Sequence, residues 1–152
     1  MDRWLGAGAT LVAASLAIPG ARKAPDGADS LFEWAVAEAT QGLPGARRVH
    51  VTTDFLGPFE LWCTSEDAAA VKRRCVAVEA ATPAARLVDL DVYSPEGTPV
   101  DRASLDLPAR RCLCCDEPAR DCIRAGRHAL ADVVASAPRR RGTPARRRRS
   151  AP

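Results

Sequence analysis

The chain has 152 residues, of which 47% are hydrophobic and 27% are charged, as is typical of an ordinary globular protein. This length provides one hydrophobic core and excludes a multidomain array. The formal net charge of +3 arises at the C-terminal end: seven of the 22 basic residues lie in 139–152, which leaves 15 basic against 19 acidic residues elsewhere.

The N-terminal stretch from Trp4 to Ile18 is apolar and uncharged. Two interpretations are open: a secretory signal that ends at Pro19-Gly20, or a buried first strand. The stretch is too short and too rich in Ala and Gly to predict a membrane span. A loop with Pro, Gly and charged residues follows and leads to the next element.

Hydrophobic periodicity then predicts a helix, two strands, a second helix and a final strand. These elements cover about 31–40, 48–55, 59–63, 66–81 and 85–93. With the first strand at about 10–18, the order is βαββαβ, that of the ferredoxin-like split βαβ core. We therefore predict an α+β core over about 9–93, with two helices on one face of an antiparallel sheet. In the second helix, Lys72 and Glu79 are expected to point mostly into solvent.

The final strand carries two carboxylates, Asp89 and Asp91, on one face. Side chains alternate along a strand, so Val88, Leu90 and Val92 point the other way, into the core. Two carboxylates this close repel each other unless a cation lies between them, and a Mg²⁺ ion that holds substrate phosphates is one reason for such a pair. The alternative is an exposed edge strand whose aspartates face water. The topology predicts instead a central strand beside the first one, with its ligand face opposite the helices.

Four of the six cysteines cluster near the C-terminal end. Cys112, Cys115, Cys122 and His128 follow the spacing C-x2-C-x6-C-x5-H, which predicts a tetrahedral Cys3His zinc site with Cys114 as the spare thiol. A redox Cys-x-x-Cys pair and unmetallated buried thiols are the alternatives. The clustering differs from a disulfide framework and favours a reducing, cytoplasmic setting.

A last helix is predicted from about Asp121, with Ile123, Leu130, Val133 and Val134 on its buried face. The Cys/His knuckle and this helix occupy about 107–138, so residues 1–138 form a single domain. Residues 139–152 are a low-complexity, Arg-rich tail that we predict to be disordered.

In combination, these segments resemble the CitX family, the holo-acyl-carrier-protein synthases of citrate lyase. The resemblance runs from about residue 11 to 135. The matching segments are Ile18-Pro19-Gly20 with Lys23 after it, Arg86-Leu87-Val88-Asp89-Leu90-Asp91-Val92, and Leu107-Pro108-Ala109-Arg110-Arg111-Cys112-Leu113-Cys114-Cys115 followed by Cys122 and His128. An ordered set of motifs is far more specific than Asp-x-Asp alone.

The resemblance implies a nucleotidyltransferase-type catalytic domain over 1–138. Such an enzyme takes 2′-(5″-triphosphoribosyl)-3′-dephospho-CoA and attaches its phosphoribosyl-dephospho-CoA group to a Ser of the citrate lyase acyl carrier subunit, releasing diphosphate. Asp89 and Asp91 would then hold Mg²⁺ on the triphosphate. The cations that would clamp phosphates are Lys23, Arg86, Arg110 and Arg111. The general base is left open between the two aspartates and Asp106.

Two other functions fit parts of the sequence. The Asp-x-Asp strand in this topology also resembles the folate-pathway pyrophosphokinases, but their other motifs are absent. A zinc-knuckle protein that binds nucleic acid through the Arg-rich tail is an alternative of a different class. The net acidic body and the lack of interleaved aromatic and basic residues make nucleic acid an unfavourable partner, and no membrane partner is expected.

Overall fold

The computed structural model describes residues 8–137, so the Arg-rich tail predicted over 139–152 lies outside the described residues. The strands are β1 (Thr10–Leu16), β2 (Arg47–Asp54), β3 (Gly57–Thr64), β4 (Val88–Tyr93) and β5 (Pro99–Val100). The α-helices are α1 (Ala28–Thr40), α2 (Ala68–Ala80), α3 (Ala119–Arg124) and α4 (Leu130–Ser136). The interpretation of the N-terminal apolar stretch as a strand is confirmed over β1.

The strands form one antiparallel sheet in the order β2-β3-β1-β4-β5, which confirms the α+β class. The predicted pairing of the first strand with the aspartate strand is also confirmed, since Leu11 lies opposite Tyr93 and Leu16 opposite Val88. The central position predicted for β4 is wrong. Because β3 inserts between β1 and β2, β4 takes the outer side of β1, and only the two-residue β5 lies beyond it.

The main hydrophobic core lies between the sheet and helices α1 and α2, as predicted. Val12 of β1, Trp62 of β3 and Leu90 of β4 are almost fully buried there. The helices contribute Leu31, Phe32, Ala35, Ala39, Val71, Cys75 and Val78. Burial of a large apolar side chain stabilises the fold by about 1.5–3 kcal/mol. A smaller cluster that includes Leu11 and Leu61 lies apart from this core.

The prediction that Lys72 and Glu79 point into solvent is wrong. Their exposed fractions are 7% and 4%, and they lie two helical turns apart, beside the apolar face of α2. Lys72 Nζ donates to the Leu90 carbonyl at 2.9 Å, and Glu79 Oε1 accepts from the Leu90 N–H at 2.9 Å. Side chains of α2 therefore satisfy the backbone groups of β4 that a neighbouring strand would otherwise satisfy.

The C-terminal part contains two short helices, α3 and α4, rather than the single helix predicted. Helix α3 ends in a Schellman motif, in which the Gly126 N–H bonds to the Ile123 carbonyl at 3.2 Å and the Arg127 N–H to the Cys122 carbonyl at 3.0 Å. Gly126 has the positive φ, 55°, that this motif requires. The predicted buried face is also wrong for three of its four residues, because Ile123 is 80%, Leu130 65% and Val134 45% exposed, while Val133 is half-buried.

Candidate active site

Asp89 and Asp91 line a cavity of about 410 Å³ at the outer edge of β4. They lie opposite Ser15 and Ala13 of β1, and their alternation with buried neighbours is as predicted. The charged side chains that line the cavity are Lys72, Arg102, Arg110 and Arg120, with Glu79, Asp89, Asp91 and Asp101. Four cations thus face four carboxylates, so the protein groups alone give the cavity no net charge.

Arg110 forms ion pairs with two carboxylates of this cavity, those of Asp89 and Glu79. Its Nη2 atom lies 2.9 Å from Asp89 Oδ1 and 2.9 Å from Glu79 Oε1, and it donates to the Val88 carbonyl at 3.0 Å. The other oxygen of Glu79 forms an ion pair with Arg102. The buried Glu79 carboxylate therefore has two guanidinium partners in addition to the Leu90 N–H.

Asp91 differs from Asp89 in its electrostatic environment. Partial burial raises the pKa of the Asp91 carboxyl, and repulsion from the Asp89 carboxylate raises it further. Lys72 attracts the charged form and acts in the opposite sense. A cation bound between the two aspartates would relieve this repulsion, so the donor set fits a hard divalent ion.

The structure separates Lys23 from the aspartate pair. Lys23 lines a second cavity of about 740 Å³, together with His50 and Phe59, and its Nζ donates to the Ile18 carbonyl at 2.8 Å. Ser15 also lines this second cavity and is the cross-strand partner of Asp89, so the two cavities lie side by side.

Arg86 and Arg111 line a third cavity of about 530 Å³, which shares Arg110 with the first. The Arg86 guanidinium donates to the carbonyls of Arg111 and Cys112. Arg111 forms an exposed ion pair with Asp116 at 3.0 Å. Of the four cations predicted from the sequence, Arg110 is the one whose contact with the aspartate pair is direct.

The Cys/His cluster assembles in the structure. Ligand atoms of Cys112, Cys115, Cys122 and His128 all lie within 4.8 Å of one another. Cys115 Sγ is 3.5 Å from Cys122 Sγ and 3.3 Å from His128 Nε2. His128 lies in the segment between α3 and α4, whereas the continuous helix predicted from Asp121 would have included it. Cys114 lies outside this set, as expected of the spare thiol.

Five charged residues of the cavity were not predicted from the sequence: Lys72, Glu79, Asp101, Arg102 and Arg120. The spacing of Lys72 and Glu79 was an available signal, because residues seven apart on a helix lie on one side, here beside the buried Cys75. Arg102 follows β5, and no sequence motif marks it as a site residue. Asp106, considered as a base, is not among the residues that line the aspartate cavity.

Comparison with known proteins identifies the family. Residues 4–140 match the profile of CitX, described as apo-citrate lyase phosphoribosyl-dephospho-CoA transferase. The chain belongs to the CitX family. The resemblance seen in the aspartate and cysteine motifs is thereby confirmed, whereas nothing in the comparison supports the nucleic-acid-binding alternative.

Curated relatives of this CitX-family chain carry the name apo-citrate lyase phosphoribosyl-dephospho-CoA transferase. The relative from Citrobacter koseri is 38% identical over 78 residues, and those from Escherichia coli O1:K1 / APEC and Shigella boydii serotype 18 are each 36% identical over 78 residues. The matched segment is 51% of this chain and covers 43% of the length of each relative. Among residues 8–137, no helix has the length and apolar character needed to cross a bilayer.

Proposed function

We propose that this CitX-family chain transfers phosphoribosyl-dephospho-CoA from 2′-(5″-triphosphoribosyl)-3′-dephospho-CoA to a Ser of the citrate lyase acyl carrier subunit. The family match over residues 4–140 supports this proposal, as does the name that its curated relatives carry. In the structure, the main observation that supports the proposed function is the aspartate cavity. There, two adjacent carboxylates and several cations line one space beside a second cavity.

The proposed reaction is a phosphoryl transfer of the nucleotidyl type. The Ser hydroxyl oxygen forms a bond to the phosphorus next to the ribose, and the bond from that phosphorus to the bridging oxygen of the next phosphate breaks. Diphosphate leaves with the electron pair, and the hydroxyl proton passes to a base or to water. Such a reaction needs an aligned hydroxyl and positive charge around the phosphates more than it needs covalent catalysis.

We propose that Asp89 and Asp91 bind Mg²⁺. The balance of cations and carboxylates in the cavity supports this role, because a triphosphate that enters a site without net charge needs further positive charge. Mg²⁺, when bound, would neutralise phosphate oxygens and polarise the phosphorus. Asp89 is oriented for this purpose by Arg110, while Asp91 has no such close cationic partner in the described residues.

The cations of the cavity have distinct proposed roles. Arg110 and Arg102 are each paired with buried Glu79 and reach the cavity, and we assign them to the leaving diphosphate. Lys23, in the neighbouring cavity, would contact a more distant part of the donor. Arg86 and Arg111 line the third cavity, which shares Arg110 with the aspartate cavity, and we propose that they contact the donor there.

Two further proposals, one on the topology of the core and one on the cellular compartment, accompany this function. The order β2-β3-β1-β4, antiparallel throughout, supports a ferredoxin-like core to which β5 is added. The six cysteines, all free in the structure, support a reducing compartment such as the cytoplasm.

The test is a transfer assay with the full chain, the triphosphoribosyl donor, Mg²⁺ and an apo acyl carrier subunit. Intact-mass spectrometry should detect a gain of one phosphoribosyl-dephospho-CoA on the carrier. Asp89→Asn and Asp91→Asn should each lower the initial rate about 100-fold or more. Asp29→Asn, at an exposed position in the first turn of α1, is the control and should retain the wild-type rate.

Two results would reject parts of the proposal. Unchanged transfer in both aspartate variants would reject the metal role. No mass gain with the unaltered chain, on a carrier that a curated relative does modify, would reject the transfer function.

A further inference from the structure

We infer that Cys112, Cys115, Cys122 and His128 bind one structural zinc ion. In a tetrahedral zinc site, Zn–S distances of about 2.3 Å and Zn–N distances of about 2.0 Å place two sulfurs about 3.8 Å apart and a sulfur and a nitrogen about 3.5 Å apart. The observed separations are 3.5 Å between Cys115 and Cys122 and 3.3 Å between Cys115 and His128. The four ligand atoms are therefore arranged closely enough for one ion to contact them all.

The backbone around the first two cysteines supports thiolate ligands. The Cys114 N–H points at Cys112 Sγ, at 3.4 Å, and such amide donors to sulfur stabilise a metal-bound thiolate. The turn itself is closed by two backbone bonds, from Cys112 N–H to the Glu117 carbonyl and from Ala119 N–H to the Arg110 carbonyl, both at 2.8 Å. This hairpin presents Cys112 and Cys115 toward α3, which carries Cys122.

The rest of the segment has little apolar packing to hold it in place. Within α3 and α4, Cys122 is the one buried residue, and Ile123, Leu130 and Val134 are all substantially exposed. Two helices of six and seven residues are too short to be stable alone in water. A metal ion that links the hairpin, α3 and the following loop would supply the missing stabilisation, as it does in small zinc modules.

The position of the cluster gives this ion a second consequence, which rests on the proposed function. Arg110 lies two residues before Cys112, and Arg86 donates to the carbonyls of Arg111 and Cys112. Zinc at the cluster would thus fix the segment from which Arg110 reaches Asp89. The binding of zinc itself does not depend on the transfer activity.

The first experiment measures metal content of the full chain, purified without chelator, by inductively coupled plasma mass spectrometry. We expect one zinc per chain. Cys115→Ser should lose the ion, whereas Cys114→Ser, a neighbouring thiol outside the ligand set, should retain it. Replacement by Co²⁺ should give the intense visible absorption of a tetrahedral sulfur-rich site in the unaltered chain and in Cys114→Ser.

Three outcomes would overturn the assignment. The first is a zinc content below about one tenth of an equivalent together with the absence of the cobalt spectrum. The second is an equal loss of metal in Cys114→Ser and Cys115→Ser. The third is a mass of the unaltered chain that is lower by two hydrogens, which would indicate a disulfide instead of a metal site.

A second measurement tests the structural role without relying on the variants. After zinc is removed by a strong chelator, hydrogen exchange should accelerate in residues 110–130 and remain slow in β1 and β4. Unchanged exchange in 110–130 would contradict the structural role. None of these readouts uses the transfer reaction, so their failure and the failure of the proposed function are distinguishable.

Discussion

The Arg110 guanidinium lies 2.9 Å from the Asp89 carboxylate and thereby joins strand β4 to the segment that leads into the Cys/His knuckle. The same nitrogen also contacts Glu79 of α2 at 2.9 Å. Three parts of the chain that are distant in sequence meet at this one side chain. The geometry of the aspartate pair therefore depends on the knuckle as well as on the sheet.

Arg110→Lys is expected to lower the rate of carrier modification about 100-fold. A lysine ammonium keeps the charge, but its side chain is shorter and would not bring the nitrogen to the position of Arg110 Nη2, between the Asp89 and Glu79 carboxylates and the Val88 carbonyl. Arg22→Lys is the matched control and should stay within about fivefold of the wild-type rate, because an exposed ion pair such as that of Arg22 with Asp26 contributes about 1 kcal/mol at most. Equal losses in the two variants would contradict a specific role for Arg110.

Glu79→Ala is expected to lower the free energy of unfolding by about 3–5 kcal/mol, because it leaves the Leu90 N–H and two guanidinium groups without their buried partner. Glu79→Gln should cost less, since an amide oxygen can still accept from the Leu90 N–H. Urea denaturation, monitored by tryptophan fluorescence, measures the free energy of unfolding of both variants. Glu38→Ala, at an exposed position on α1, should change the value by no more than about 0.5 kcal/mol. An alanine variant as stable as the glutamine variant would show that the bond to Leu90 contributes nothing.

Asp91→Asn is expected to raise stability at pH 7 in the absence of Mg²⁺. The pKa of Asp91 is raised in the folded chain, so the folded state binds the proton more readily than the unfolded state does. Stability should therefore fall as the pH rises from the ordinary pKa of 3.8 through the raised value, and the asparagine variant should escape this loss. Its advantage should vanish at pH 3, where both states are protonated.

Thermal unfolding at pH 3 and pH 7, with Asp29→Asn as the control, checks this prediction. Addition of Mg²⁺ at pH 7 should stabilise the unaltered chain and leave Asp91→Asn unchanged. A variant that is less stable than the unaltered chain at pH 7 without metal would contradict the sign of the effect.

Gly20→Ala is expected to destabilise the fold by about 2 kcal/mol, part from its positive φ and part from steric overlap. Gly20 has φ of 86°, and an added Cβ would meet a Val134 methyl group at 3.0 Å. Gly42→Ala separates the two effects, because Gly42 also has a positive φ, 70°, but no heavy atom within 4 Å of the added Cβ. In the Gly42→Ala control, the free energy of unfolding should fall by about 1 kcal/mol.

The double variant Gly20→Ala with Val134→Ala should recover the steric part of this loss. Equal losses for Gly20→Ala and Gly42→Ala would show that the packing of the Ile18-Pro19-Gly20 loop against α4 contributes nothing to stability.

The βαββαβ order could be predicted from the sequence because apolar spacing reports which face of each element is buried. The same spacing contains no information on which strands become neighbours, so it does not reveal that β4 lies next to the edge of the sheet rather than at its centre. The Cys/His cluster was predictable for a different reason, because the types and the spacing of zinc ligands can be recognised in a sequence without knowledge of the fold.

Charged residues were harder to predict because their environment depends on distant backbone. Lys72 and Glu79 are buried because the Leu90 N–H and carbonyl, at the outer edge of β4, need partners. Helical spacing indicates that the two side chains lie on one side of α2, but it does not indicate which backbone groups they contact. Ile123 and Leu130 fit the spacing of one continuous helix, and this spacing hides the break between α3 and α4. Gly126, the residue that ends α3, was the local signal against a continuous helix.

The attachment of Lys72 and Glu79 to Leu90 also limits how copies of this chain can associate. A strand with open backbone donors and acceptors at a sheet edge invites a strand from another molecule, which is a common route to aggregation. In β4 the Val88 carbonyl and both backbone groups of Leu90 are already engaged by charged side chains, and β5 covers Val92. The sheet is thereby closed to growth in the direction of the aspartate cavity, while the cavity itself stays open to a small ligand.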